Sequence, residues 1–168
     1  MTGKIRIVFV AMVVAAGLVA AAPAVLADSD ISFAAYECRD LGTETVRVDA
    51  DGTIHIRGQI LLGESESTDP RFDGLFRRRS NLDIYPDGSG VVWGVHDQRS
   101  HTYQGAWKIG FMVPFDASGF NGRGSGLGSH DFAGLGVTGT ISGPLLDTTG
   151  SPCNPVLAAS TFTGTVSD

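Results

Sequence analysis

The residues of this chain best suited to chemistry are a few histidines and carboxylates. His96, Asp97 and His101 lie close together, and His130 with Asp131 follows later in a glycine-rich stretch. Imidazole and carboxylate can ligate a transition metal, or serve as a base and the group that orients it. The spacing of His96, Asp97, His101 and His130 matches no established ligand motif, and polar groups at strand ends are ordinary. The sequence therefore assigns neither metal nor cofactor, and only convergence of these side chains at one place would revive a metal.

A second candidate is Glu37. Strand parity puts it on the same face as Phe33 and Ala35, so it would enter any apolar interior those residues line. Three neighbouring arginines, Arg77 to Arg79, could hold a phosphate or carboxylate but read as a solvated strand or loop face. Asp49-Ala50-Asp51-Gly52 has the look of part of a calcium loop. The remaining ligands are missing, and its composition is that of a hairpin turn. No phosphate-binding loop, nucleophile elbow or metalloprotease helix motif is present, and neither cysteine belongs to a CxxC pair.

What must position these groups is a β structure at an exported address. Lys4 and Arg6 precede an apolar run from Ile7 to Val19, and small residues follow up to Ala27. This is the pattern of a secretory signal peptide spanning 1–27, cut before Asp28 or alternatively after Ala24. The run is short for a membrane span, which needs roughly 20 residues. Without the leader, 10 basic residues face 18 acidic ones, a net charge of −8 with neutral histidines. An acidic surface argues against nucleic acid or anionic lipid as a general partner. Cys38 and Cys153 are the only two cysteines, and outside the cytoplasm they are expected to pair as one disulfide. Free or intermolecular thiols are the alternative.

The remaining residues, 28–168, read as one domain of about eight strands with no internal repeat. Period-two segments run over Phe33 to Cys38, Thr45 to Val48, Ile54 to Leu62, Phe76 to Tyr85, Val91 to His96, Trp107 to Phe115 and Thr161 to Val166. Glu64 to Pro70 and residues 144–155 read as loops. Inward faces are expected to carry Ile54, Ile56, Ile60 and Leu62, then Val91, Trp93 and Val95, then Trp107, Ile109, Phe111, Val113 and Phe115. These sets hold no ionisable group, so they describe a packed core or a pocket for an apolar ligand. Gly122, Gly124, Gly126 and Gly128 alternate with Arg123, Ser125 and Leu127, which leaves one face of that segment bare for a neighbouring strand or aromatic. The expected fold is all-β, a single closed antiparallel barrel, with a two-sheet sandwich as the alternative. An outer-membrane barrel fits less well, because aromatic girdles are lacking and Gly and Thr crowd the strands.

The run GRGSGLGSHDFAGLGVTGTISG, Gly122 to Gly143, with the closing FTGTV at Phe162 to Val166, resembles the tail of the allene oxide cyclase and dirigent type of barrel. It is closest to small secreted bacterial barrels that share the glycine-rich pattern and an FAGL turn. The resemblance covers about a third of the chain after the leader. It implies an eight-stranded barrel with an apolar cavity, often dimeric or trimeric, and carries no catalytic residue onto this sequence. The expected role is a secreted, periplasmic or extracellular module that binds a small apolar molecule or serves as a scaffold. Its cavity-lining candidates are Trp93, Trp107, Phe111 and Glu37. A cyclase or isomerase with an apolar cavity is one alternative, for which a polar side chain projecting inward would speak. A surface interaction module is the other.

Overall fold

The computed structural model describes residues 29–144 and 158–168, and among them every helical or strand element is a strand. No helix of the described residues is long and apolar enough to cross a membrane. The expected leader, most of the 144–155 loop and Cys153 lie outside the described residues, and the expected disulfide falls there with Cys153.

Nine strands form one antiparallel sheet: β1 (Ser29–Asp40), β2 (Thr45–Val48), β3 (Ile54–Ser67), β4 (Gly74–Ile84), β5 (Gly90–Ser100), β6 (Gly105–Asp116), β7 (Gly119–His130), β8 (Gly136–Gly143) and β9 (Ala158–Ser167). From β3 to β9 each strand pairs with its successor, and β1 bonds β9 on one side and β3 on the other. Eight strands thereby close into a barrel, which removes the sheet edges that an open meander would leave unpaired. β2 is the extra strand. Asp40 stands opposite Leu61 and Thr45 opposite Arg57, so β2 continues the line of β1 along β3 after the break at 41–44.

Three expectations need correction. Glu64 to Ser67 are strand, not loop, because β3 runs on between β1 and β4 with Ser65 and Gly63 facing inward. Within β3 the register shifts by one residue between Ile56 and Gln59, where Gly58 takes φ +74°, a conformation that glycine adopts without a Cβ penalty. The shift reverses the faces beyond it: Leu61 turns inward, while Ile60 and Leu62 stand opposite Arg79 and Arg77 on the outside. β5 is reversed too. Its inner face carries Val92, Gly94, His96 and Gln98, and Trp93 lies outside, opposite Met112 and under the Arg57 guanidinium at 4.8 Å.

One half of the barrel is packed solid. Phe132, Trp107, Phe72, Phe33 and Phe162 stack in a column, with successive ring centroids 5.2, 4.8, 5.3 and 5.0 Å apart. Phe72 comes from the connection between β3 and β4 and is fully buried, so this loop plugs the barrel end. Gln98, also fully buried, fixes the plug by donating from Nε2 to the Phe72 carbonyl and to Ser65 Oγ, both at 2.6 Å. Trp107 Nε1 adds a bond to the Arg71 carbonyl at 3.1 Å. The bare face of β7 is filled as its pattern predicts. A Cβ on Gly126 would stand 2.3 Å from the Lys108 carbonyl oxygen, and one on Gly124 would press at 3.2 Å on Ile109, Ile141 and Phe162. This close approach lets the sheet curl tightly around the aromatic column.

Candidate functional site

The other half of the barrel is hollow. Its cavity of about 320 Å³ lies toward the end where β4, β6 and β8 finish and β5, β7 and β9 begin. The upper wall is apolar: Leu82 and Ile84 from β4, Val92 from β5, Val113 and Phe115 from β6, and Phe120 from β7. Alternation supplies this wall, since each strand offers every second side chain to the interior.

Polar groups gather lower down. Glu37 follows Ile31, Phe33 and Ala35 on the inner face of β1 and is 7% exposed. Arg78 follows Phe76 on the inner face of β4, and its Nη1 donates to Glu37 Oε1. Arg78 Nη2 reaches Ser160 Oγ on β9 at 3.4 Å, while its Nε is buried without a hydrogen-bond partner among the described residues. The guanidinium lies 5.4 Å from the Phe76 ring centroid and 5.3 Å from that of Phe111, distances at which a cation is attracted to a ring face. Gln59 and Ser80 also border the cavity, with Gln59 Nε2 donating to Asp40 at 2.8 Å.

Beneath Arg78 a void of about 20 Å³ reaches His96. This histidine is 4% exposed, with the Phe76 ring centroid 4.4 Å from its own. Because the Gln98 amide nitrogen is committed to the Phe72 carbonyl, its Oε1 faces His96 Nε2 at 3.3 Å and that nitrogen carries the proton. Burial, reinforced by the charge of Arg78, pushes His96 down to about 3, so the imidazole is neutral at physiological pH.

No family model, curated protein or solved structure matches this chain. Its own geometry therefore carries the functional reading.

Of the lining candidates, Glu37 and Phe111 border the cavity. Trp107 belongs to the packed half, and Trp93 is outside. The metal candidates do not converge. His96 points inward and its neighbour Asp97 outward, where it meets Arg79 at 3.2 Å. His101 and His130 are exposed at the plugged end. Among the described residues, no group of three or more His, Cys, Asp or Glu is placed to hold a metal ion. Cys38, on β1 next to Glu37, has its Sγ 3.4 Å from the Tyr36 carbonyl oxygen.

Sequence reasoning missed Arg78 and His96 as interior groups. For Arg78 the signal was available: Phe76, Arg78, Ser80, Leu82 and Ile84 alternate with outward residues, but a run of three arginines reads as a charged surface. It missed His55 as well. That ring lies outside the cavity, with Nδ1 2.5 Å from Asp83 Oδ1 and Nε2 2.9 Å from Asp49 Oδ2. Hydrogen bonds to Asp83, then to Asp49, raise its pKa above the ordinary histidine value. The cluster ties the β2–β3 hairpin to β4, and Arg57 joins it through Asp83 at 2.6 Å.

Proposed function

We propose that this protein is an exported barrel whose hollow half binds a small, largely apolar molecule outside the cytoplasm. The observation that carries the reading is the division of the interior: a packed aromatic column below and an apolar-walled cavity of about 320 Å³ above. A fold selected only as a scaffold gains stability by filling such a space, because apolar voids are costly. The volume is at the small end for ligand pockets and suits a molecule of on the order of a dozen non-hydrogen atoms. The leader-like N-terminus supports export, and the resemblance to the allene oxide cyclase and dirigent barrels agrees with a ligand-holding interior.

A second reading, a cyclase or isomerase, is favoured by one observation: Glu37 projects into the cavity wall. Holding a reactive apolar substrate beside a fixed polar pair is how such a barrel would direct its chemistry.

Native mass spectrometry of protein purified from its own host tests the binding reading. A retained small molecule is expected, and Leu82→Trp, which fills the cavity from β4, is expected to abolish retention. Failure of either a retained molecule or any added apolar compound to occupy the cavity would overturn it.

A further inference from the structure

Resting on that reading, we infer that the cavity selects an uncharged molecule with one oxygen function, an alcohol or a carbonyl compound, whose oxygen sits at the Glu37–Arg78 pair and whose hydrocarbon part fills the upper cavity. Glu37 and Arg78 neutralise each other inside the barrel, with side chains 9% and 15% exposed. A ligand carboxylate placed beside them would leave a net negative charge in a low-dielectric site, and an ammonium a net positive one. Either uncompensated charge is heavily penalised there. A purely hydrocarbon ligand avoids the charge but leaves the polar groups at the cavity floor without partners.

Those groups are mostly donors. Arg78 Nε is buried and has no hydrogen-bond partner among the described residues. The Ser160 hydroxyl accepts from Arg78 and has its own proton to give, and the Ser80 hydroxyl, 2% exposed, makes no side-chain hydrogen bond among the described residues. Of the acceptors at the cavity, Glu37 Oε1 is engaged by Arg78, while Glu37 Oε2 and the Gln59 amide oxygen can take the proton of an alcohol. One ligand oxygen with free lone pairs complements this surplus, and the apolar wall of Leu82, Val92, Val113 and Phe120 accommodates the rest.

The test compares 1-octanol, 2-octanone, octanoate and octylammonium, all small enough for the volume, by calorimetry and by amide shifts in nuclear magnetic resonance at pH 7.5. The alcohol and ketone are expected to shift the amides of Glu37, Arg78 and Ser160, with octanoate and octylammonium binding at least ten-fold more weakly. Glu37→Gln keeps an acceptor for Arg78 Nη1 but leaves the guanidinium charge uncompensated, and is expected to strengthen octanoate binding at least ten-fold over the unaltered protein. Equal or tighter binding of either charged compound to the unaltered protein would overturn the selectivity while leaving the cavity reading intact. Shifts confined to the outer surface, or no binding by any of the four, would remove both.

Discussion

Glu37 and Arg78, 41 residues apart in sequence, meet inside the barrel as an ion pair that forms the boundary between its solid and hollow halves. Each follows an apolar neighbour on an inward face, Glu37 after Ala35 and Arg78 after Phe76. Either one alone would be a buried charge without its counterpart.

Removing one partner is therefore expected to cost more than removing both. Glu37→Leu or Arg78→Leu should each destabilise the fold by about 3–5 kcal/mol, the usual consequence of stranding a buried charge. The double replacement should recover most of that loss. Urea denaturation of the four proteins gives the coupling directly, and additive single effects would show that the pair is not energetically linked.

Acid should weaken the protein through His96. Its folded pKa, about 3, lies below the unfolded value of about 6.5, so between them the unfolded chain binds the extra proton. The full contribution of neutral His96 is present above about pH 6.5 and declines by up to about 1.4 kcal/mol for each unit as pH falls toward 3. His96→Gln should flatten this slope in denaturation curves measured between pH 4 and 7, and an unchanged slope would assign acid sensitivity elsewhere.

His55 should act in the opposite sense. Asp83 and Asp49 raise its folded pKa above the unfolded one. Its contribution is complete below the unfolded value and disappears as pH rises through the raised value. Proton resonance titration should find the His55 ring still charged when an ordinary histidine is neutral, and Asp83→Asn should lower its midpoint. A midpoint that ignores Asp83 would mean the bond at Nδ1 does not hold the proton.

Glycines offer a paired test of strand packing. A Cβ at Gly94, on the inner face of β5, would come within 1.9 Å of the Arg79 carbonyl oxygen, whereas at Gly110 the nearest atom is 3.8 Å away. Gly94→Ala should cost at least about 3 kcal/mol in thermal or urea unfolding, beyond ordinary overpacking because backbone must move. Gly110→Ala should be neutral or stabilising by up to about 1 kcal/mol. Similar losses at both positions would show that the distinction between faces is misplaced.

Particular residues also decide how much the sequence revealed. Period-two apolarity located the strands well, and the alternating glycines from Gly122 to Gly128 correctly marked a face against which other chain segments press. Direction was harder. On β5, Val91, Trp93 and Val95 look oilier than Val92, Gly94 and His96, yet the former face outward because Arg57 covers Trp93 and the interior needs space beside β4. On β3 a single extra residue around Gly58 exchanged the faces partway along. Parity arguments assume an unbroken pleat, and a bulge is invisible to them. For the site, Glu37 and Phe111 were legible from alternation within one strand. Arg78 was legible in the same way but was read with Arg77 and Arg79 as a charged surface, whereas His96 depended on pairing between strands, which local pattern does not encode.

The Phe72 plug gives the barrel the character of a cup rather than a pipe. Among the described residues, a guest of the proposed kind descending from the hollow end would meet stacked rings and could not continue through, so arrival and departure would share that end. Dwell time would then depend on how firmly the floor holds the leading end, and a second guest could not displace the first from behind.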